Sequence, residues 1–133
     1  MLLGCTYGLI ALDKHTGTTE MLVHNYLIKD ILVLKNDIWI ATSGEGIIQY
    51  NCNTKSINKY KTESGIISNY VNSILYTEDY LWLGTENGLC QFSLKEKLAF
   101  TYPLSLSTIS FNQNSCWKLN SGKLIFGTNK GCI

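Results

Sequence analysis

One motif recurs four times along the chain. "MLLGCTYG" (Met1–Gly8), "IWIATSGEG" (Ile38–Gly46), "LWLGTENG" (Leu81–Gly88) and "LIFGTNKG" (Leu124–Gly131) share a run of apolar residues, a small residue, a polar turn and a closing glycine. Counted from their small residues, Gly4, Ala41, Gly84 and Gly127, the gaps are 37, 43 and 43 residues. The likeness continues downstream. "IIQYNCNTKSINKY" (Ile47–Tyr60) follows the pattern of "LCQFSLKEKLAFTY" (Leu89–Tyr102), and "LIALDKHTGTTEML" (Leu9–Leu22) is the same unit with its Thr16–Gly17 turn. A repeat of this length restricts the fold to architectures in which one supersecondary unit is stacked on copies of itself.

Within a repeat the pieces are short and β-like. Val71–Tyr76 is rich in β-branched and aromatic residues and is followed by a polar turn at Thr77–Asp79. Leu81–Thr85, Leu89–Ser93 and Leu98–Tyr102 are three further strands, separated by Glu86–Gly88 and Lys95–Lys97. No stretch carries the 3.6-residue apolar period of a helix. The strands are not half-wetted either. Ile38-Trp39-Ile40, Leu81-Trp82-Leu83 and Leu124-Ile125-Phe126 are consecutive apolar triplets, and successive side chains of a strand point to opposite faces. Both faces must therefore be buried, with Trp39 and Trp82 in the core, whereas a sandwich would alternate apolar and polar residues. Four antiparallel strands in roughly 43 residues match one blade of a β-propeller. The expected fold is all-β: an incomplete propeller of about three blades, with an incomplete blade at 1–27, blades at 28–70 and 71–106, and an incomplete blade at 107–133.

The small residue of each motif leaves room for a neighbour's side chain or backbone. The five cysteines, Cys5, Cys52, Cys90, Cys116 and Cys132, are odd in number, lie among strand-like residues and lack metal-ligand spacing, so they read as small buried hydrophobes. The net charge of +1 gives no electrostatic reason to expect nucleic acid or an anionic membrane. No apolar run is long enough for a membrane helix. "LLGC" (Leu2–Cys5) lacks the basic and apolar segments that a lipoprotein signal needs before it.

The motifs "LWLGTENGLCQFSLKEKLAFTY" and "GIISNYVNSI" (Gly65–Ile74) resemble the two-component-regulator propeller repeat. That repeat has an L-W-I-G-T opening, a Gly-Leu step, and Gly-Leu-Ser-Ser-Asn before Val-x-Ser-Ile. "SFNQNSCWKLNSGKLIFGTNKG" (Ser110–Gly131) is similar to the segment near the end of such propellers. The departures are Cys5 in place of threonine, Ala41 in place of glycine, Ile67 in place of serine, and the absence of the Gly-Leu-Ser-Ser-Asn loop between Leu22 and Leu32. The resemblance implies a fragment of a longer protein: the periplasmic, ligand-sensing region of a membrane-anchored hybrid histidine kinase, responding to an oligosaccharide. Apolar blade faces left open at either end predict self-association into a homodimer or larger assembly.

Chemistry-bearing patterns are sparse. His15 and His24 form no metal-like pair, "GEGIIQ" (Gly44–Gln49) fails as a dinucleotide fingerprint at its third glycine, and "SGKL" (Ser121–Leu124) lacks the rest of a phosphate loop. No enzyme activity, metal or cofactor is expected. Binding is the better reading. The loops Tyr26–Lys29, Glu63–Tyr70 and Ser105–Ser110 would share one rim with the turns at Tyr7, Ser43–Glu45, Glu86–Asn87 and Asn129–Lys130. The candidate ligand residues are Tyr7, Tyr26, Glu45, Asn69, Tyr70, Glu86 and Asn129, since rings beside amides and carboxylates suit a carbohydrate. Ser68 and Asn69 also fit a purely structural role in a tight loop. The alternative is a propeller scaffold for protein–protein interaction with no small-molecule site.

Overall fold

The computed structural model describes residues 1–103 and 109–133. Four antiparallel sheets follow one another along the chain, each a simple meander. The first comprises β1 (Leu2–Cys5), β2 (Gly8–Leu12) and β3 (Thr19–His24). The second is β4 (Ile28–Leu34), β5 (Asp37–Thr42), β6 (Ile47–Asn51) and β7 (Ile57–Tyr60). The third is β8 (Val71–Thr77), β9 (Tyr80–Thr85), β10 (Gly88–Ser93) and β11 (Ala99–Thr101). The fourth is β12 (Phe111–Lys118), β13 (Leu124–Thr128) and β14 (Gly131–Cys132). A 3-10 turn at Thr62–Ser64 is the one helical element among the described residues. The expected boundary at 106/107 and the start of the Ser105–Ser110 loop fall outside those residues.

Turn chemistry sets the repeat. Before the last strand of each of the first three sheets, a short polar side chain accepts backbone N–H groups two or three residues ahead. Asp13 Oδ1 takes His15 and Thr16, Asn51 Oδ1 takes Asn53 and Thr54, and Ser93 Oγ takes Glu96. Each turn closes through the N–H of the fifth residue, Gly17, Lys55 or Lys97, which donates to the carbonyl of the first. That fifth residue is left-handed in all three, with φ of 73°, 60° and 59°. Glycine takes this conformation without strain, whereas the two lysines bear its steric cost.

The motif threonines lock the other hairpins. Thr42, Thr85 and Thr128 donate Oγ1–H to the carbonyls of Gly46, Gly88 and Gly131 at 2.8, 2.8 and 2.7 Å. The same oxygens accept the N–H of Glu45, Asn87 and Lys130, each at 3.1 Å. In the first sheet the Cys5 thiol donates to the Gly8 carbonyl at 3.2 Å, a weaker copy of the bond.

The second and third sheets bury both faces against their neighbours. Ile38 and Ile40 pack with Leu9 and Val23 of the first sheet, while Trp39 and Ala41 pack with Leu81, Leu83 and Phe92 of the third. Leu75, Trp82 and Leu89 in turn meet Phe111 and Phe126 of the fourth. The triplets Ile38–Ile40 and Leu81–Leu83 thus serve two cores at once. Leu124 and Phe126 instead join one core and Ile125 between them is half-buried, against the expectation for the third triplet, because no further sheet packs on its other face among the described residues. The small residues sit where neighbouring strands come closest. A Cβ on Gly4 would stand 2.6 Å from Ile28 Cγ2, and one on Gly84 would stand 2.8 Å from Phe111 Cβ. Burial separates the two repeat tryptophans: Trp39 is enclosed by Tyr60, Phe92 and Lys97, whereas Trp82 is half-buried beside Tyr102.

The cysteines divide. Cys90 is buried and Cys5 and Cys116 are half-buried, but Cys52 and Cys132 are exposed, against the expectation that all five are core residues. Cys52 follows β6 in a solvent-facing turn and Cys132 lies on the short strand β14, places that an apolar neighbourhood in sequence does not reveal. None of the five is in a disulfide.

Candidate functional site

The meander topology puts the loops joining the first three sheets and the hairpins after β1, β5, β9 and β13 on one rim, and backbone bonds join them. Asn25 N–H donates to the Tyr7 carbonyl at 2.7 Å and Ser43 N–H to the Leu27 carbonyl at 3.0 Å. Gly44 and Gly46 both donate to the Asn69 carbonyl, and Glu86 donates to the Tyr70 carbonyl at 3.2 Å. Hairpin and loop alternate, so residues remote in sequence become neighbours.

Five of the seven expected residues converge on the second and third sheets. Tyr26 is half-buried, and Lys59 Nζ lies 4.8 Å from its ring centroid. The Glu45 carboxylate bridges Lys61 at 2.7 Å and Lys59 at 3.8 Å, and its bond to Lys61 holds it below the usual carboxylate range. Contact with Tyr26, then with Glu45, raises the Lys59 ammonium above the ordinary lysine value. The exposed Tyr70 ring lies over the Ser43–Glu45 hairpin, where a Cβ on Gly44 would be 3.8 Å from its Cζ. Glu86 accepts from Ser68 Oγ at 3.3 Å, and Ser68 Oγ accepts the Tyr70 N–H at 3.1 Å. Asn69 faces inward to the loop, where its Oδ1 accepts the Thr62 N–H at 3.0 Å.

The other two stand apart. Tyr7 is 75% exposed, and its carbonyl accepts the Asn25 N–H. Asn129 pairs with Ser110, its Oδ1 accepting the Ser110 N–H at 3.2 Å while its own N–H donates back at 2.9 Å. Trp117, which the sequence leaves open between core and surface, is 69% exposed.

Two polar features escape sequence reasoning. Asp30 stands where Ser73 and Ser115 stand in the later repeats. Its Oδ1 accepts the Ile31 N–H and its Oδ2 reaches across to the Ile74 N–H of the third sheet, both at 2.8 Å. Burial raises this carboxyl above the ordinary aspartate value, the two backbone bonds offsetting only part of the effect. Cys116 donates from the other side to the Ile74 carbonyl at 3.4 Å, and burial, with the Asp30 charge, pushes its thiol up to about 11. The break in the serine pattern was a usable signal for Asp30. Lys97, the second feature, crosses from the third sheet onto Trp39, and only the packing of the sheets shows it.

No family model matches the chain. It is 34% identical over 82 residues to Histidine kinase P4 of Formosa agariphila, a match covering 59% of this chain and 6% of that protein. Among solved structures it is similar to the extracellular domain assigned to the hybrid two-component system BT3049 of B. thetaiotaomicron, with a TM-score of 0.82 at 19% identity. That match covers 98% of this chain and 20% of the other. The extracellular domain assigned to the one-component system BT4673 of the same organism gives a TM-score of 0.82 at 20% identity, covering 96% and 18%. The chain therefore shares the all-β fold of these extracellular domains and spans about a fifth of their length.

Proposed function

We propose, from a fold shared with the extracellular domains of two-component systems, that this chain is part of a β-propeller in the sensing region of a hybrid histidine kinase. The four sheets are consecutive blades in this reading, the parent protein is held at the inner membrane with the propeller in the periplasm, and the ligand is an oligosaccharide. The segment carries no catalytic chemistry and needs no cofactor. Signalling belongs to the kinase region of the parent, driven by a change in how the propellers are arranged.

The observation that carries the ligand reading is the convergence of Tyr26, Glu45, Tyr70 and Glu86 on one rim. Two aromatic rings flank hydrogen-bonding carboxylates, a combination suited to the apolar faces and hydroxyl edges of a sugar. Isothermal titration against a panel of oligosaccharides tests it. A saturable ligand whose affinity falls about tenfold or more in Tyr70→Ala supports the reading. A folded chain that binds no member of the panel overturns the carbohydrate assignment. The same reading holds that the chain self-associates, because Leu3 and Trp117 expose apolar surface on the outermost sheets, at 41% and 69%. Light scattering across a dilution series checks this, and a monomer at every concentration overturns it.

A further inference from the structure

The rim opposite the entry loops holds two incomplete groups side by side. Trp39 and Trp82 occupy the same place in the repeat, yet their indole nitrogens differ. Trp82 Nε1–H donates to Thr77 Oγ1 at 2.7 Å. In the second sheet Leu34 stands at the place of Thr77: Leu32 opposes Trp39 and Leu34 opposes Asp37, as Leu75 opposes Trp82 and Thr77 opposes Tyr80. Leucine offers no acceptor, and the Trp39 Nε1–H is buried with no hydrogen-bond partner among the described residues. Native interiors rarely leave a donor in that condition.

Lys97 supplies the second group. Its Nζ lies 5.0 Å from the Trp39 ring centroid and 5.9 Å from that of Tyr60. Burial holds this ammonium below the ordinary lysine range, and the Asp37 charge offsets that only in part. Asp37 is itself engaged, accepting from Gln49 Nε2 at 2.9 Å and Asn51 Nδ2 at 2.7 Å. Among the described residues Lys97 makes no ion pair.

Trp39 and Lys97 both line one cleft of about 360 Å³ between the second and third sheets. Leu34, Tyr76 and Leu94 supply its apolar lining, and Lys35, Lys95 and Asp79 line it as well. With Asp37 and Lys97 counted, three lysines face two aspartates. We propose that this cleft binds a carboxylate carried on a short apolar stem. The carboxylate accepts the Trp39 indole N–H and pairs with the Lys97 ammonium, and the stem lies against Leu34, Tyr76 and Leu94. Turning the Leu34 or Lys97 side chain opens the approach to the buried indole. A neutral carbonyl would satisfy the indole and leave the ammonium unpaired, whereas a sulfate has no stem for the apolar wall. A free short-chain acid and the C-terminus of an apolar peptide offer the same chemistry.

Indole N–H resonances of the ¹⁵N-labelled chain, assigned with single Trp→Phe variants, test the site. Sodium butyrate is titrated against sodium chloride at constant ionic strength, with an apolar tripeptide and its C-terminal amide as the second arm. The expected result is a saturable shift of the Trp39 resonance, with Trp82 and Trp117 unmoved, from butyrate, the free tripeptide or both. Butan-1-ol and the amidated peptide should give none. Lys97→Gln should weaken binding about tenfold or more. Leu34→Thr, which supplies an acceptor within the chain, should abolish the response and keeps the test decisive if Lys97→Gln does not fold. No saturable shift from either carboxylate overturns the proposal. So does a response that survives both substitutions.

Discussion

Replacing Thr85 with valine keeps the shape of the side chain and deletes one hydroxyl at a site with no solvent exposure. The hydroxyl makes two bonds, donating to the Gly88 carbonyl at 2.8 Å and accepting the Asn87 N–H at 3.1 Å. Each such bond contributes about 0.5–1.5 kcal/mol net, and an acceptor left buried adds to the loss. Asn87 is exposed, so its N–H can turn to water, which puts the total near 2 kcal/mol. Valine has the higher strand preference, so neither packing nor propensity contributes to the loss. In a chain of this size that is a fall in Tm of about 5–10 °C. Urea unfolding followed by tryptophan fluorescence and by circular dichroism measures it, with coincident curves required first. Cys5→Thr is the complementary test. It restores the strong donor where the thiol bonds Gly8 at 3.2 Å, and should raise stability by a smaller amount because the first sheet is more open. A Thr85→Val protein within about 0.5 kcal/mol of the parent would refute the idea that the motif threonine locks its hairpin.

Other expectations follow from the packing and the charges. Gly84→Ala should destabilise by about 1–3 kcal/mol in urea melts, because its Cβ would meet Ser73 Oγ and stand 2.8 Å from Phe111 Cβ, and neither strand can retreat without opening a core. Asp30 has a folded-state pKa above the ordinary 3.8, so its contribution is fully present below 3.8 and is lost as pH rises through the raised value. The stability of Asp30→Asn relative to the parent should therefore improve from pH 3.8 upward, whatever constant offset the amide brings, and a pH-independent difference in urea midpoints would contradict the assignment. Timed alkylation with mass spectrometry near pH 8 should label the exposed Cys52 and Cys132 first. Cys90, raised by burial, and Cys116, with its thiol at about 11, should react only on unfolding.

What the chain declares by itself is local. The repeat period, the β-strands and both families of hairpin rest on residues within five positions of each other, such as Asp13 with Gly17 or Thr85 with Gly88, and their hydrogen bonds follow from side-chain reach alone. Consecutive apolar residues at Ile38–Ile40 further disclose that both strand faces are covered, because a strand alternates its side chains whatever lies beyond it. Which neighbour covers each face is a different matter. Trp39 and Trp82 have nearly identical sequence surroundings, but Lys97 and Phe92 from the next sheet enclose the first, whereas the second packs on Phe111 and Phe126 and stays half-buried. Asp30 meets Ile74 across a sheet boundary, and Tyr26, in the loop entering the second sheet, meets Lys59 of that sheet's last strand, contacts that no spacing encodes. The rim residues likewise gather only when loops 43 residues apart come side by side. Hydrogen-bond geometry inside a turn is fixed by a few torsions, whereas burial, pKa and the makeup of a cleft depend on which surfaces the stacked sheets bring together, and those the tertiary structure decides.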